Sequence, residues 1–131
     1  MRSLRVPLAV IALSLSLAGC GLGQGLNFTS MQLGKSVNTD ATVAAHTTVF
    51  SPTDTIYVSV LTTGAGSGEV AVRWKYGEQV VGEPKKPVSY RDVAATEFHL
   101  QSAGGFPVGA YTVEAFLNGQ SVGTRAFKVE K

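Results

Sequence analysis

The sequence predicts an all-β chain folded as an antiparallel β-sandwich of about seven to nine short strands. Three observations carry that expectation. From residue 26 onward, apolar residues recur at every second position in short runs, the period of a strand with one buried face. Clusters of Gly, Pro, Asn and Asp interrupt those runs at intervals of about 8–12 residues. Asn118-Gly119 then separates two such runs, where a two-residue type I′ turn requires positive φ twice.

Taken in order, Leu26 to Leu33 alternates imperfectly and reads as a first strand with a bulge, and Lys35 to His46 lacks periodicity and reads as loop or weak edge strand. Strand character returns at Thr47-Thr48-Val49-Phe50, and Ser51-Pro52-Thr53-Asp54 supplies a turn. Thr55 to Thr62 places Ile56, Val58 and Val60 on one face. Thr63 to Gly68 reads as a flexible Gly-Ser loop. Glu69 to Tyr76 then turns Val70, Val72, Trp74 and Tyr76 inward, with Ala71, Arg73 and Lys75 outward. After a Gly77-Glu78 turn comes a short strand, Gln79 to Val81. Pro84 to Pro87 breaks the chain, and Val88 to Val93 is a weak strand. Thr96 to Ser102 turns Phe98 and Leu100 inward, and Ala110 to Leu117 does the same for Tyr111, Val113, Ala115 and Leu117. Gln120 to Glu130 returns from the hairpin with Phe127 and Val129 inward.

The residues before this body follow a different logic. Arg2 and Arg5 precede an uncharged, mostly apolar run of twelve residues, Val6 to Leu17, which has the layout of a signal peptide. The run is well short of the ~20 residues that span hydrocarbon. It ends in Leu17-Ala18-Gly19-Cys20, and Cys20 is the chain's single cysteine. That tetrad resembles the lipobox of bacterial lipoproteins. The resemblance implies cleavage after Gly19 and a diacylglyceryl thioether on Cys20, which becomes the mature N-terminus. An ordinary signal peptide would instead leave Cys20 as a lone thiol in an oxidising compartment.

The chain thus divides into a signal peptide (1–19), a lipidated Cys20 with a glycine-rich tether (20–25), and one sandwich domain (26–131). Gly21 to Gly25 spans roughly 12 Å as a random coil, which places the domain close to the bilayer. In lipoprotein sorting, Asp after the cysteine favours inner-membrane retention. Gly21 there implies an outer-membrane anchor facing the periplasm in a Gram-negative host.

Removing 19 of the 131 residues leaves 112, enough for one core. With Arg2 and Arg5 gone, 9 basic residues face 9 acidic ones, so the charge offers no case for nucleic acid, which needs a clustered basic face. The basic doublet Lys85-Lys86 reads as solvated surface in a Pro-flanked loop.

Two residues sharpen the sandwich reading. Trp74 lies mid-strand, and Tyr111 stands two residues after Gly109 at the start of the penultimate strand. Residues 47–131 resemble bacterial immunoglobulin-like domains, through Phe50-Ser51-Pro52-Thr53-Asp54-Thr55-Ile56 and Phe106-Pro107-Val108-Gly109-Ala110-Tyr111-Thr112-Val113. The resemblance implies a core Trp at Trp74 and a tyrosine corner at Tyr111. It fixes no function.

Candidate chemistry is sparse. His46 and His99 have no ligand spacing around them, so neither a metal nor another cofactor is expected. No nucleophile elbow supports a hydrolase, and a strand rather than a helix follows the Gly64-Ala65-Gly66-Ser67-Gly68 loop, which argues against phosphate cradling. The chain is therefore read as non-enzymatic. Pairing of the strands that hold Arg73 and Lys75 with those of Glu114 and Phe116 would build one outward face, an aromatic flanked by charges, suited to an envelope protein partner. A membrane-tethered binding or structural module is the leading expectation. An accessory subunit joined through β-augmentation, and a small-ligand or glycan binder using the loops, stand beside it.

Overall fold

Strand alternation dominates the structure, a computed structural model that describes residues 25–131. Leu17, Ala18, Gly19 and Cys20 lie outside the described residues. Nine strands and no helix occur among those described: β1 (Asn27–Gly34), β2 (Val49–Phe50), β3 (Ile56–Thr63), β4 (Gly66–Tyr76), β5 (Gln79–Gly82), β6 (Lys85–Tyr90), β7 (Ala94–Leu100), β8 (Gly109–Leu117) and β9 (Gln120–Val129). They form two sheets. One is β1-β3-β7; the other runs β2-β9-β8-β4-β5, with β6 also paired to β4.

The inner faces of both sheets meet in one core, as in a sandwich. Ile56, Val58 and Val60 from the small sheet face Val70, Val72 and Val113 from the large one, all at 0–1% exposure. Each such residue contributes up to about 1.5–3 kcal/mol. Six together outweigh the ~2–4 kcal/mol of a typical disulfide, so hydrophobic packing suffices here. Phe127 is the hub of an aromatic seam: it stacks on Tyr111 at 5.3 Å and meets Phe50 and Trp74 edge-on at 5.5 and 6.0 Å. Trp74 is fully buried, and its indole N–H has no partner among the described residues.

Local sequence accounts for most boundaries. The expected bulge in β1 is present as a register shift between Phe28 and Ser30. Asn118 and Gly119 both take positive φ, 52° and 81°, and close the β8–β9 hairpin. The Tyr111 hydroxyl donates to the Pro107 carbonyl at 2.6 Å, fastening the loop before β8. Asp54 accepts from the Ser51 N–H at 2.7 Å and closes the turn into β3.

Three segments depart from expectation. The Gly-Ser stretch is strand from Gly66 onward, because β6 pairs with it from Gly66↔Tyr90 to Ala71↔Lys85. Lys85-Lys86 therefore lies on a strand rather than in a loop, and Pro87 is tolerated because β6 is an edge. β6 ends at Tyr90, short of the expected Val93. The segment from Thr47 contributes only Val49–Phe50, and that pair runs parallel to β9. Residues 35–46, expected as loop or weak edge strand, contain no strand and form a narrow excursion with bridges Gly34↔His46 and Val37↔Val43, turned by Ala41 at φ 70°. Asp40 and Thr42 come up against Leu61 and Ala95 on the outer face of the small sheet, and Val43 is buried at 4% exposure.

Candidate functional site

The outward face of the large sheet gathers most of the residues expected to act together. β4 and β8 pair antiparallel with Arg73 opposite Glu114 and Ala71 opposite Phe116. The Arg73 guanidinium lies 5.0 Å from the centre of the Phe116 ring and 3.7 Å from Glu114. Glu114 in turn accepts from the Ser121 hydroxyl at 2.6 Å. Lys75, opposite Thr112, shares this face but stands outside the groove that the others line.

That groove, about 330 Å³, also includes Glu83 and Lys85, which sequence reasoning missed. Its origin is the divergence of β5 and β6 from β4. β5 pairs with Trp74–Tyr76 and β6 with Gly66–Ala71, and the connecting Glu83-Pro84 crosses between them, where Val72 N–H donates to the Pro84 carbonyl at 3.0 Å. Glu83 thereby accepts from Arg73 Nε at 2.7 Å. Nothing in the spacing of Arg73 and Glu83 announces this pair, because it depends on a split edge. Arg73 has two carboxylates and one aromatic face around it. Such half-exposed pairs contribute only about 0–1 kcal/mol of stability, so their main effect is to hold the guanidinium over the Phe116 ring. Phe116 itself is half-buried by this stacking rather than fully exposed.

A second groove, about 410 Å³, opens where the chain crosses from one sheet to the other. Thr47 N–H donates to the Leu33 carbonyl at 3.1 Å, and one residue on, the Thr48 carbonyl accepts from Lys128 N–H at 2.9 Å. The edges of β1 and β9 part at this crossing, and Gln32, Leu33, His46, Thr48 and Arg125 surround the gap. Arg125 was not anticipated. Its position carried a signal, since it is in phase with the inward-facing Phe127 and Val129. His46, expected to have no ligand role, lines this groove and is exposed.

A third hollow, about 320 Å³, sits at the opposite end of the sandwich from the Asn118-Gly119 hairpin and is lined by Tyr76, Leu100, Gln101, Phe106 and Tyr111. Burial, with Tyr76 close by, pushes the Tyr111 phenol above its ordinary value. The phenolic hydroxyls here are engaged: Tyr76 donates to the Val108 carbonyl at 3.0 Å and Tyr111 to that of Pro107.

His99 faces outward on β7 as expected, with Nδ1 2.6 Å from Glu97. Among the described residues, no three or more His, Cys, Asp or Glu side chains cluster as a metal site would require.

No protein-family model matches the chain, and no curated protein matches it in sequence. Solved structures do share its fold. A β-glucosidase involved in saponin metabolism from intestinal bacteria aligns with a TM-score of 0.54 and 11% identity over 82% of this chain and 16% of its own. One from Erythrobacter marinus gives 0.51 and 15% over 81% and 15%, and one from Listeria innocua, in complex with glucose, 0.50 and 12% over 82% and 16%. The chain spans about one sixth of the length of these structures. At such identities the likeness concerns the fold alone.

Proposed function

We propose that this protein is a lipid-anchored module of the bacterial envelope, an immunoglobulin-like sandwich that binds or braces a partner rather than catalysing a reaction. The observation that carries the reading is Leu17-Ala18-Gly19-Cys20 at the end of an apolar run behind Arg2 and Arg5. Gly21 after the cysteine supports an outer-membrane location facing the periplasm. The buried Trp74 and the Tyr111–Pro107 hydrogen bond support the immunoglobulin-like assignment.

The geometry adds an orientation. Gly25 N–H donates to the Ala65 carbonyl at 2.9 Å, so the chain enters the domain beside the β3–β4 turn. The Asn118-Gly119 hairpin is at that same end, where the Asn118 side chain accepts from Glu69 N–H at 2.9 Å. With the proposed anchor, a short tether would hold the Phe116 groove, which reaches Gly119, towards the membrane and raise its effective concentration for partners in that layer.

Metabolic labelling with a palmitate analogue tests the anchor. The wild type should incorporate label and fractionate with membranes, and Cys20→Ser should do neither; a wild type without label refutes the anchor. Crosslinking in the native envelope tests the surface. Phe116→Ser should lose a crosslinked protein that the wild type retains, and an unchanged crosslinking pattern removes the Phe116 surface from the proposal.

A further inference from the structure

We infer that the open edge of β9, from Val122 to Ala126, takes an extended acidic peptide segment of a partner protein, with Arg125 reading its carboxylate. The inference rests on the reading of this domain as a binding module and names a second surface, distinct from the Phe116 groove.

Backbone geometry comes first. Lys128 N–H reaches Thr48, and Glu130 N–H reaches Phe50 at 2.8 Å, so these amides point away from β8 toward β2. Antiparallel alternation points the amides of Ala126 and Thr124 the same way. β2 covers only Val49 and Phe50, however, and pairs no further back than Lys128. No strand is hydrogen-bonded to the outward edge from Val122 to Ala126 among the described residues, although β1 passes close by and its Phe28 ring lies against Gly123. The unpaired outward amides of Thr124 and Ala126 could accept an added strand of about four or five residues, as in β-augmentation.

Charge then selects the occupant. Arg125 occupies an inward-phase position opposite Val113, yet its side chain is exposed and lines the groove between the parted edges. No carboxylate pairs with it among the described residues, whereas Lys35, Lys86 and Lys128 each have one and Arg73 has two. Of the cations without one, which include Lys75, Lys85 and Arg91, Arg125 is the one that lines this groove. Around the same groove, the Gln32 amide, the Thr48 hydroxyl and the His46 ring make no side-chain hydrogen bond among the described residues, and no acidic side chain lines it. An uncompensated guanidinium beside free donors suits a carboxylate delivered by the added strand.

The test uses the full chain, isotope-labelled in detergent micelles. Its probes are the blocked pentapeptide Thr-Val-Glu-Val-Thr and the same peptide with Gln for Glu. The expected result is protection and shift of the Thr124 and Ala126 amides. The Glu peptide should bind about tenfold more tightly than the Gln peptide, in line with one charge-assisted pair. Arg125→Gln should abolish that preference, and Thr124→Pro, which removes an outward amide, should weaken both peptides. Equal affinity for the two peptides overturns the proposal, as do shifts confined to the Phe116 groove. Reproduction of the full pattern by acetate alone also overturns it, since that marks a bare anion site. So does an Arg125→Gln protein that self-associates while wild type ignores both peptides, because Arg125 is then only an edge guard. A protein that labels with palmitate but ignores the peptides refutes this inference and leaves the anchor standing. One that binds the peptide without lipid does the reverse.

Discussion

The two flanks of the sandwich manage the same problem in opposite ways. On the β6–β7 flank, side chains from the large sheet close the exposed edge of the small one. The Lys86 ammonium donates to the Glu97 carbonyl and lies 4.9 Å from the Phe98 ring centre, and the Tyr90 hydroxyl reaches the Ala95 carbonyl at 3.4 Å and Thr96 Oγ1 at 2.8 Å. On the β1–β9 flank no such caps exist among the described residues. The chain crosses between the sheets at Thr47–Thr48, and Arg125 is the one charged side chain of β9 that lines the gap, with Gln32, His46 and Thr48 around it. Unpaired edges invite strand addition, and proteins ordinarily blunt them with Lys, Pro or covering side chains. One flank has all three, through Lys86, Pro87 and Tyr90. The bare flank is the one at which the acidic partner strand is proposed to add.

The most damaging way to disturb this contrast is to jam the crossing. Gly34 ends β1 where the excursion returns, and a Cβ there would collide with the Ala45 carbonyl and the Val43 side chain. One colliding partner is backbone, which cannot swing aside. Gly34→Val should cost about 3 kcal/mol in urea unfolding, at the upper end of overpacking penalties. The β6–β7 flank should keep its slow amide exchange while residues 35–50 lose theirs. Uniform loss across both flanks would show that they are one cooperative unit.

The next largest effect belongs to the closed flank. Tyr90→Phe removes the hydroxyl that partners Thr96, whose side chain lies on a residue at 3% exposure. Stranding that Thr96 hydroxyl should cost about 1–3 kcal/mol. The freed edge of β7 should also raise light scattering on concentration, which the wild type should not show. A Tyr90→Phe protein with unchanged stability would mean that the cap is ornamental and the two flanks differ only in appearance.

Most of the core strands were legible in the sequence, whereas the contrast between the flanks was not, for a common cause. Alternation exposes Ile56, Val58 and Val60, or Val70, Val72 and Trp74, because each strand is long and one-sided. The Asn118-Gly119 hairpin is equally local. β6 escaped because Pro84 and Pro87 signal a break, and only knowledge that β6 is an edge reverses that inference. Residues 35–46 read correctly as irregular, but where the loop packs was not legible, because a single apolar residue, Val43, marks its buried side, and one residue has no period. Of the candidate surface, Arg73, Glu114 and Phe116 followed from strand pairing, whereas Glu83 depended on the split of β5 from β6, a tertiary event. Arg125 was visible as a charge in phase with Phe127 and Val129. Its meaning required knowing that β9 lacks a hydrogen-bonded neighbour there.

The gentlest probe is pH, and it acts at the turn beside the open flank. The Ser51 N–H, and after it Lys35 at 3.2 Å, hold the Asp54 carboxyl below its ordinary value of 3.8 despite some desolvation. A carboxyl whose folded value is depressed adds stability at pH above 3.8, and that addition is lost as pH falls through the folded value. Stability should therefore slope downward on the acid side below about pH 4, by less than about 1 kcal/mol for so accessible a group. Asp54→Asn should flatten that slope. Lys35→Met should leave most of it, because the backbone amide of Ser51 is the larger cause. If Lys35→Met flattens the slope as fully as Asp54→Asn, then the ion pair that ties the start of the excursion to this turn is the dominant restraint. The open flank would in that case be held by charge, and its width should respond to salt, whereas a turn closed by Ser51 keeps the crossing in place at any ionic strength.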